Sequence, residues 1–138
     1  MSDVKSIFDI SGRSLGALQT RLNTIASNIA NAGTKAGSKE NAYKALRPVF
    51  ESVFSEAYDK QGVASVDAIE IIGLNREPKK SFEPDHPMAD KDGYIYEAAV
   101  NIEEELVELV EASRQYQNNL EVISTTKSLM LRTINMGK

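Results

Sequence analysis

The sequence predicts an elongated α+β protein, in which two long terminal helices pair in a coiled-coil-like arrangement beside a small central β-rich lobe. Three observations support this prediction. Apolar residues recur in steps of three and four near both ends of the chain, which places an apolar seam along each helix. Between the ends, short segments show the alternation of β-strands. The chain has 138 residues, which leaves no room for two full domains.

The N-terminal helix is expected to begin at Ser2 or Asp3, either of which can cap it, and to run to about Ala32, where Gly33 stops it. Two glycines in its first half cost about 1 kcal/mol each relative to alanine, so the helix needs partners for stability. Its seam comprises Phe8, Ser11, Leu15, Leu18, Leu22, Ile25, Ile29 and Ala32.

The middle of the chain is predicted to hold three strands. The first lies within residues 43–58, the second within 64–74, and the third at 94–96, directly after an Asp-Gly turn at 92–93. Pro48 restricts the first strand to a sheet edge, because proline has no N–H to donate to a neighbouring strand.

Loops are expected where glycine, serine, proline and charged residues collect, at residues 33–42 and 76–87. The predicted organisation is therefore an N-terminal helix over residues 1–34, a central β-rich lobe over 35–100 and a C-terminal helix over 101–138.

The C-terminal helix is expected to open at Asn101, which with Glu104 resembles a capping box, and to end at Gly137. About 35 residues at 1.5 Å each span roughly 50 Å, whereas a compact chain of this length has a radius of gyration of roughly 14 Å. The molecule should therefore be elongated. The seam of this helix comprises Ile102, Leu106, Leu109, Ser113, Tyr116, Leu120, Ile123, Lys127, Met130 and Ile134.

Charge is unevenly distributed along the chain. Residues 1–50 carry a net charge of +4, residues 51–112 carry −11 and residues 113–138 carry +3. This asymmetry indicates either ordinary solvated surface or complementarity between copies of the chain. Nucleic-acid binding is not supported, since the basic residues are spread out and no aromatic-basic platform accompanies them.

No pattern for catalysis or for metal or cofactor binding is present in the sequence. The absence of cysteine excludes disulfides and thiolate metal sites. The single histidine, His86, is expected in a solvated loop, and a run at 90–93 that resembles a calcium loop lacks ligands at the first and last positions. We therefore expect no enzyme, no cofactor, no metal and no small-molecule substrate. A solvated face is expected for Glu103, Glu104, Glu105, Glu108 and Glu111.

Three asparagines near the seams leave two interpretations open. Asn28, Asn31 and Asn118 either lie on the surface or form interhelical hydrogen bonds that fix the register of assembly. Tyr116 lies in the seam itself, where its hydroxyl would need a partner if buried.

Both ends of the chain resemble the flagellar rod and hook protein family. The stretch SNIANAGT at 27–34 resembles that family's N-terminal signature, and ASRQYQNNLEVI at 112–123 resembles its C-terminal helix. A third stretch, PMADKDGYI at 87–95, narrows the resemblance to subunits of the proximal rod.

This resemblance implies a structural subunit of the proximal rod of the bacterial flagellar basal body. It implies export through the flagellar type III apparatus without a cleaved signal peptide, helical assembly with copies of itself and other rod proteins, and membrane contact only through the basal body. The alternatives are another axial member of the family and a cytosolic coiled-coil adaptor or export chaperone. The expected assembly interface comprises Leu15, Leu18, Leu22, Ile25, Asn28, Ile29, Asn31, Leu106, Leu109, Tyr116, Asn118, Leu120, Ile123, Met130 and Ile134.

Overall fold

A computed structural model describes residues 2–53 and 65–137 of the chain, and it has the predicted α+β architecture. Helix α1 (Ser2–Asn31) comes first in the sequence and helix α2 (Ile102–Met136) comes last, with the described strands between them. At 1.5 Å per residue the helices measure about 45 Å and 52 Å. They pack against each other along their length. The prediction of two long, paired terminal helices is confirmed.

The strands form two small antiparallel sheets. In the described residues the strands are β1 (Lys35–Ala36), β2 (Leu46–Val53), β3 (Ser65–Gly73), β4 (Lys80–Phe82) and β5 (Tyr94–Glu97). One sheet has the order β1-β5-β4, and the other is the pair β2-β3. In the pair, Leu46 lies opposite Gly73, and the register shifts between Val49 and Phe50. Helix α1 contacts both strands of this pair, which fixes the pair beside the helices.

The three predicted strands are found as β2, β3 and β5, while residues 54–64, which the first two predictions reach, lie outside the described residues. The two predicted loops were wrong in part. The loop at 33–42 contains β1, and the loop at 76–87 contains β4. Each of these strands has only two or three residues and pairs its backbone with one edge of β5. Strands this short are too brief to produce a recognisable alternation of side chains.

A tight turn before β5 confirms the Asp-Gly prediction. Gly93 has a φ of +82°, and a Cβ atom there would lie 2.9 Å from a ring carbon of Phe82. The Asp90 carboxylate accepts hydrogen bonds from the backbone N–H groups of Asp92 and Tyr94. Because both its conformation and its surroundings exclude a side chain, Gly93 lets β4 and β5 approach closely, with the rings of Phe82 and Tyr94 5.2 Å apart.

The start of α2 is capped as predicted, but the reciprocal half of the capping box is not formed. The Asn101 side chain accepts a hydrogen bond from the Glu104 N–H at 3.1 Å. The Glu104 carboxylate binds Arg76 instead of turning back to the helix start. At the other end Gly137 follows the last helical residue, as expected.

Replacing Asn101 with alanine should lower the free energy of unfolding by about 1 kcal/mol, because the Glu104 N–H loses its acceptor. Asn101→Asp keeps an acceptor at the same place and should cost much less. Urea denaturation followed by circular dichroism measures both changes. Equal losses in the two variants would contradict a capping role for this side chain.

The buried core is aliphatic, as expected, and it is small. Within residues 4–51 and 70–137, the buried apolar residues are Ile25, Ala36, Ala42, Ala45, Ile95, Ala98, Ala99 and Ala112. The accessible surface of the chain is 9522 Å², against about 7,100 Å² expected for a compact monomer of the same mass. An elongated chain with so few large buried side chains leaves much apolar surface outside.

Candidate assembly site

A buried polar cluster joins both helices to the start of β2. Asn28 of α1 is 0% exposed. Its Nδ2 donates to the Leu46 carbonyl at 2.9 Å and to the Glu105 carboxylate at 3.0 Å. Its Oδ1 accepts from the Leu46 N–H at 2.8 Å and from the Tyr43 hydroxyl at 3.1 Å. Two donors and two acceptors are the full capacity of an amide, so every polar site of this side chain is used.

Asn28 also covers part of the free edge of β2. The Ala45 carbonyl accepts from the Leu74 N–H, and neighbouring residues of a strand direct their polar groups to opposite edges. The Leu46 N–H and C=O therefore point away from β3, toward Asn28. At the next outward-facing position, Pro48 has no N–H to offer. The start of this edge is therefore closed to further strands, as natural sheet edges often are.

Glu105 is the second buried member of the cluster, at 1% exposed. Its Oε1 lies 2.6 Å from Nη2 of Arg47, and Nη1 of Arg47 donates to the Leu46 carbonyl at 3.1 Å. The hydrogen bond to Glu105 raises the pKa of the Arg47 guanidinium above its ordinary value, although desolvation opposes the rise. The cluster therefore holds a charged pair together with a saturated amide, and it links α1, β2 and α2.

The predicted solvated face of glutamates is wrong for Glu105. Its position continues a row of steps of four and three through Leu109, Ala112 and Tyr116, and this row faces α1. Arg47 and Asn28 supply the charge and the hydrogen bonds that make burial of a carboxylate tolerable. The three-four spacing of Glu105 with Leu109 and Ala112 could have predicted that its side chain is buried. No local pattern in the sequence could have identified its partners Asn28 and Arg47.

Further polar contacts between the helices run in the antiparallel direction. Arg21 binds Glu108 through a salt bridge and donates to Gln115 at 3.3 Å. Nearer the chain ends, Asn119 donates to the Ser14 hydroxyl at 2.7 Å. Among residues 4–51 and 70–137, the buried polar side chains are Ser6, Ser11, Thr24, Asn28 and Glu105. The helices thus meet through polar and small side chains as well as through apolar ones such as Ile25.

The seam predicted for α1 is partly buried within the chain. Ile25 is buried, while Leu15, Leu18, Leu22 and Ile29 are half-buried. Asn28 forms an interhelical hydrogen bond to Glu105 within the chain, so surface exposure is wrong for this residue, while a role in fixing the register of assembly stays a prediction. Asn31 is half-buried and donates to the carbonyl of Ser27 in its own helix.

The seam predicted for α2 is covered only in part within the chain. Leu109, Tyr116, Ile123 and Met130 are half-buried, whereas Leu106, Asn118, Leu120 and Ile134 are exposed. The side of α2 that contacts α1 is shifted around the helix from the predicted seam, and it includes Glu105, Ala112 and Asn119. The large apolar residues exposed on α2 are Ile102, Leu106, Val107, Val110, Leu120, Val122, Leu129, Leu131, Ile134 and Met136. Whether these residues bind neighbouring subunits stays a prediction.

The uneven charge is partly balanced inside the chain. Four basic residues of the first 50 form ion pairs with carboxylates of the acidic middle region: Arg21 with Glu108, Lys35 with Glu83, Lys39 with Glu77 and Arg47 with Glu105. These pairs join separate segments of the chain, so part of the complementarity expected between copies is used within one copy.

Across residues 2–53 and 65–137, no group of three or more His, Cys, Asp or Glu side chains is placed to hold a metal ion. No helix in this described part of the chain has the length and apolar character needed to span a membrane. His86 is half-buried in a turn, where its Nδ1 accepts from the Met88 N–H at 3.0 Å.

The two helices carry the sequence features of a known class of protein. A family model described as "Flagella basal body rod protein" matches residues 8–35, which cover most of α1. A second, described as "Flagellar basal body rod FlgEFG protein C-terminal", matches residues 91–136, which cover β5 and α2. The paired ends of the chain are thus those of flagellar basal-body rod proteins.

Whole-chain relatives define the family more narrowly. The chain is 38% identical over 133 residues to the flagellar basal-body rod protein FlgC of Salmonella typhimurium strain LT2. It is 40% identical over 133 residues to the FlgC proteins of Yersinia enterocolitica and Escherichia coli O157:H7. Each comparison covers 96% of this chain and 97% of the relative. The chain belongs to the FlgC family of flagellar basal-body rod proteins, and the resemblance seen in its sequence is confirmed.

Proposed function

We propose that the chain is a structural, non-enzymatic subunit of the proximal rod of the flagellar basal body. It assembles helically with copies of itself and with other rod proteins into the shaft that transmits rotation. The observation that carries this proposal is the set of large apolar side chains that the helix pair leaves exposed, most of them on α2.

This exposure supports assembly because burial of one Leu, Ile, Val or Met side chain contributes about 1.5–3 kcal/mol. An isolated helix pair would place such residues in its own interface. Residues such as Val107 and Leu129 are exposed in the single chain, so a neighbouring subunit can cover them. A tube needs contacts between different faces of successive subunits, so that the assembly does not close into a ring. Apolar residues on several sides of α2 suit such contacts.

In this proposal, residues 1–34 and 101–138 form the axial helical part, and residues 35–100 form a lobe beside it. The expected interface residues divide into two sets. Those turned inward, such as Ile25 and Asn28, shape the helix pair itself. Those turned outward, such as Leu106, Leu120 and Ile134, contact neighbouring subunits.

We further propose that the chain reaches the periplasmic rod through the flagellar type III export apparatus, without a cleaved signal peptide. Its membership of the FlgC family supports this route. Its contact with membranes is then only through the basal body. Fractionation tests the location, since a cytosolic adaptor or chaperone would be absent from purified basal bodies.

Leu120→Asp and Leu106→Asp should each reduce incorporation into basal bodies at least about tenfold, because burial of an unpaired carboxylate costs several kcal/mol. The experiment expresses each variant in cells that lack the native gene. Swimming, immunoblots of purified basal bodies and electron microscopy of the rod measure the result. Leu120→Met is the matched control, since it keeps apolar volume and should assemble normally.

Both leucines are exposed in the single chain, so circular dichroism of the purified variants should match the wild type. Complete rods and normal swimming with both aspartate variants would overturn the proposal. Loss of helix content in either variant would move the test to Val110→Asp, whose side chain is more exposed still.

A further inference from the structure

Lys127 interrupts an exposed apolar row in the second half of α2. It is the only charged residue of the seam predicted for this helix, and it is exposed. Leu120, Leu131 and Ile134 are 45%, 52% and 44% exposed. Their spacing of seven and four residues from Lys127 places all four side chains on one side of the helix. We define the basic row as Leu120, Lys127, Leu131 and Ile134.

The basic residues in the second half of α2 are not used for ion pairs within the chain. Arg114, Lys127 and Arg132 are exposed and form no ion pair with any residue that the structure describes. Four basic residues of the first 50, in contrast, are paired with carboxylates of the acidic middle region. The cation in the basic row is therefore open to a carboxylate of a neighbouring copy.

The pair β2-β3 carries an exposed acidic face. Val49 lies opposite Glu70, and residues opposite each other in an antiparallel pair share a face. Glu51 and Ile72 each lie two residues further along their strands, on the same face. Val49 and Ile72 are 41% and 40% exposed. Both glutamates are exposed and form no ion pair within residues 2–53 and 65–137. We define the acidic face as Val49, Glu51, Glu70 and Ile72.

This acidic face is turned away from its own α1. Phe50, the next residue after Val49 on β2, lines a groove of about 200 Å³ with Ala17 and Leu18 of α1. Successive side chains of a strand point to opposite faces. The register shift between Val49 and Phe50 adds its extra residue to β3, so this alternation is kept along β2. The acidic face is therefore directed to solvent in the single chain.

We propose that the acidic face of one copy of the chain binds the basic row of the next copy in the assembled rod, with Glu70 paired to Lys127. This proposal rests on the structural role proposed above. Each surface has two or more exposed apolar side chains beside its charge, so the apolar members pack together while the charges pair. Opposite charges then fix the register of the contact and disfavour contacts between two acidic faces.

The contact joins two different surfaces, so it does not close on itself. Each copy has one acidic face and one basic row, and a bound pair of copies still has one free surface of each kind. Heterologous contacts of this type build open helical assemblies when the rotation does not close into a ring. The charge asymmetry of the sequence thereby gains a role between copies, carried by charges that have no ion-pair partner among the described residues of one copy.

Charge exchange in cells that lack the native gene tests the pairing. Glu70→Lys and Lys127→Glu should each lower the amount of the chain in purified basal bodies at least about fivefold, because each sets like charges against each other. A chain with both changes restores opposite charges and should return to within about twofold of the wild type. The matched control is Glu40→Lys, which makes the same charge change at an exposed loop residue outside both surfaces and should incorporate normally.

Cross-linking in assembled rods tests the contact with the charged pair intact. The chain has no cysteine, so Val49→Cys/Leu131→Cys introduces its only two thiols, and cysteine packs as a small apolar residue. A short bismaleimide added to purified basal bodies should link the copies into dimers, trimers and larger species, because each copy contributes one thiol to each of two contacts. Each single-cysteine variant should stay monomeric, as seen on immunoblots.

Incorporation as low in the charge-exchange variant as in the single charge variants would overturn the proposed contact. Failure of the double-cysteine chain to form linked species would overturn it as well, and so would dimers of a single-cysteine variant, which indicate a two-fold contact. In all three cases the wild-type chain is still found in basal bodies, so the structural role stands. Absence of the wild-type chain from purified basal bodies would instead overturn both proposals.

Discussion

Replacing Arg47 with methionine should lower the free energy of unfolding by about 3–5 kcal/mol. Arg47 is the cationic partner of Glu105, whose side chain is 2% exposed. Methionine keeps most of the aliphatic stem but leaves the carboxylate buried without its charge partner. Loss of the guanidinium also removes one donor to the Leu46 carbonyl. Urea denaturation followed by circular dichroism measures the change.

Two further variants separate the buried charge from the loss of packing. In Arg47→Met/Glu105→Gln the buried charge is removed, while the amide oxygen of the new glutamine can still accept from Asn28, so most of the stability should return. Arg76→Met is the matched control. Its ion pair with Glu104 is nearly half exposed on both sides and should contribute at most about 1 kcal/mol. Equal losses for Arg47→Met and Arg76→Met would contradict the interpretation of the cluster.

The three-four spacing of apolar residues predicted the helices well, because this spacing follows from the 3.6-residue turn of the helix itself. Both helices begin and end within about two residues of the expected bounds, where Asn101 and Gly137 supply local signals. The strand β5 was predicted for a similar reason, since the turn at Gly93 fixes it locally. Strand β1 depends on pairing with β5 from a distant part of the chain, and β4 is a strand of three residues that pairs with β5 across a loop, so neither produces a recognisable local pattern.

Periodicity could not predict which apolar row is buried within the chain. A row such as Leu106 and Leu120 indicates that a helix face avoids water, but it does not distinguish between the chain's own helix and a neighbour. In this protein the row of α2 that faces α1 mixes Leu109 and Tyr116 with Glu105, Ala112 and Asn119, and the last three carry no strong apolar signal in the sequence. Such a division is what we expect if the exposed apolar residues of α2 contact neighbouring subunits, as proposed above.

Replacing Asn28 with alanine should lower the free energy of unfolding by about 3–4 kcal/mol. The amide satisfies both backbone groups of Leu46, the Tyr43 hydroxyl and one oxygen of Glu105. Each buried group left without a partner costs about 1–3 kcal/mol, more for a charged one, and repacking recovers part of the sum. Asn28→Asp should cost at least as much, since it places a second carboxylate beside Glu105.

Hydrogen exchange at the Leu46 N–H gives a readout specific to this role, because Asn28 is the acceptor of that hydrogen bond. Protection of this amide should fall in Asn28→Ala by more than the global loss of stability requires. The matched control is Asn119→Ala, which removes one hydrogen bond to Ser14 from the same helix interface and should cost about 1 kcal/mol.

The two asparagines bridge the same pair of helices, but only Asn28 also holds a strand. If Asn28→Ala destabilised the chain no more than Asn119→Ala, the cluster would be an ordinary interhelical contact. If the loss is several times larger and centred on Leu46, Asn28 is the residue through which α1 fixes the pair β2-β3. The orientation of that pair on the helices would then depend on one side-chain amide, buried where α1, α2 and β2 meet.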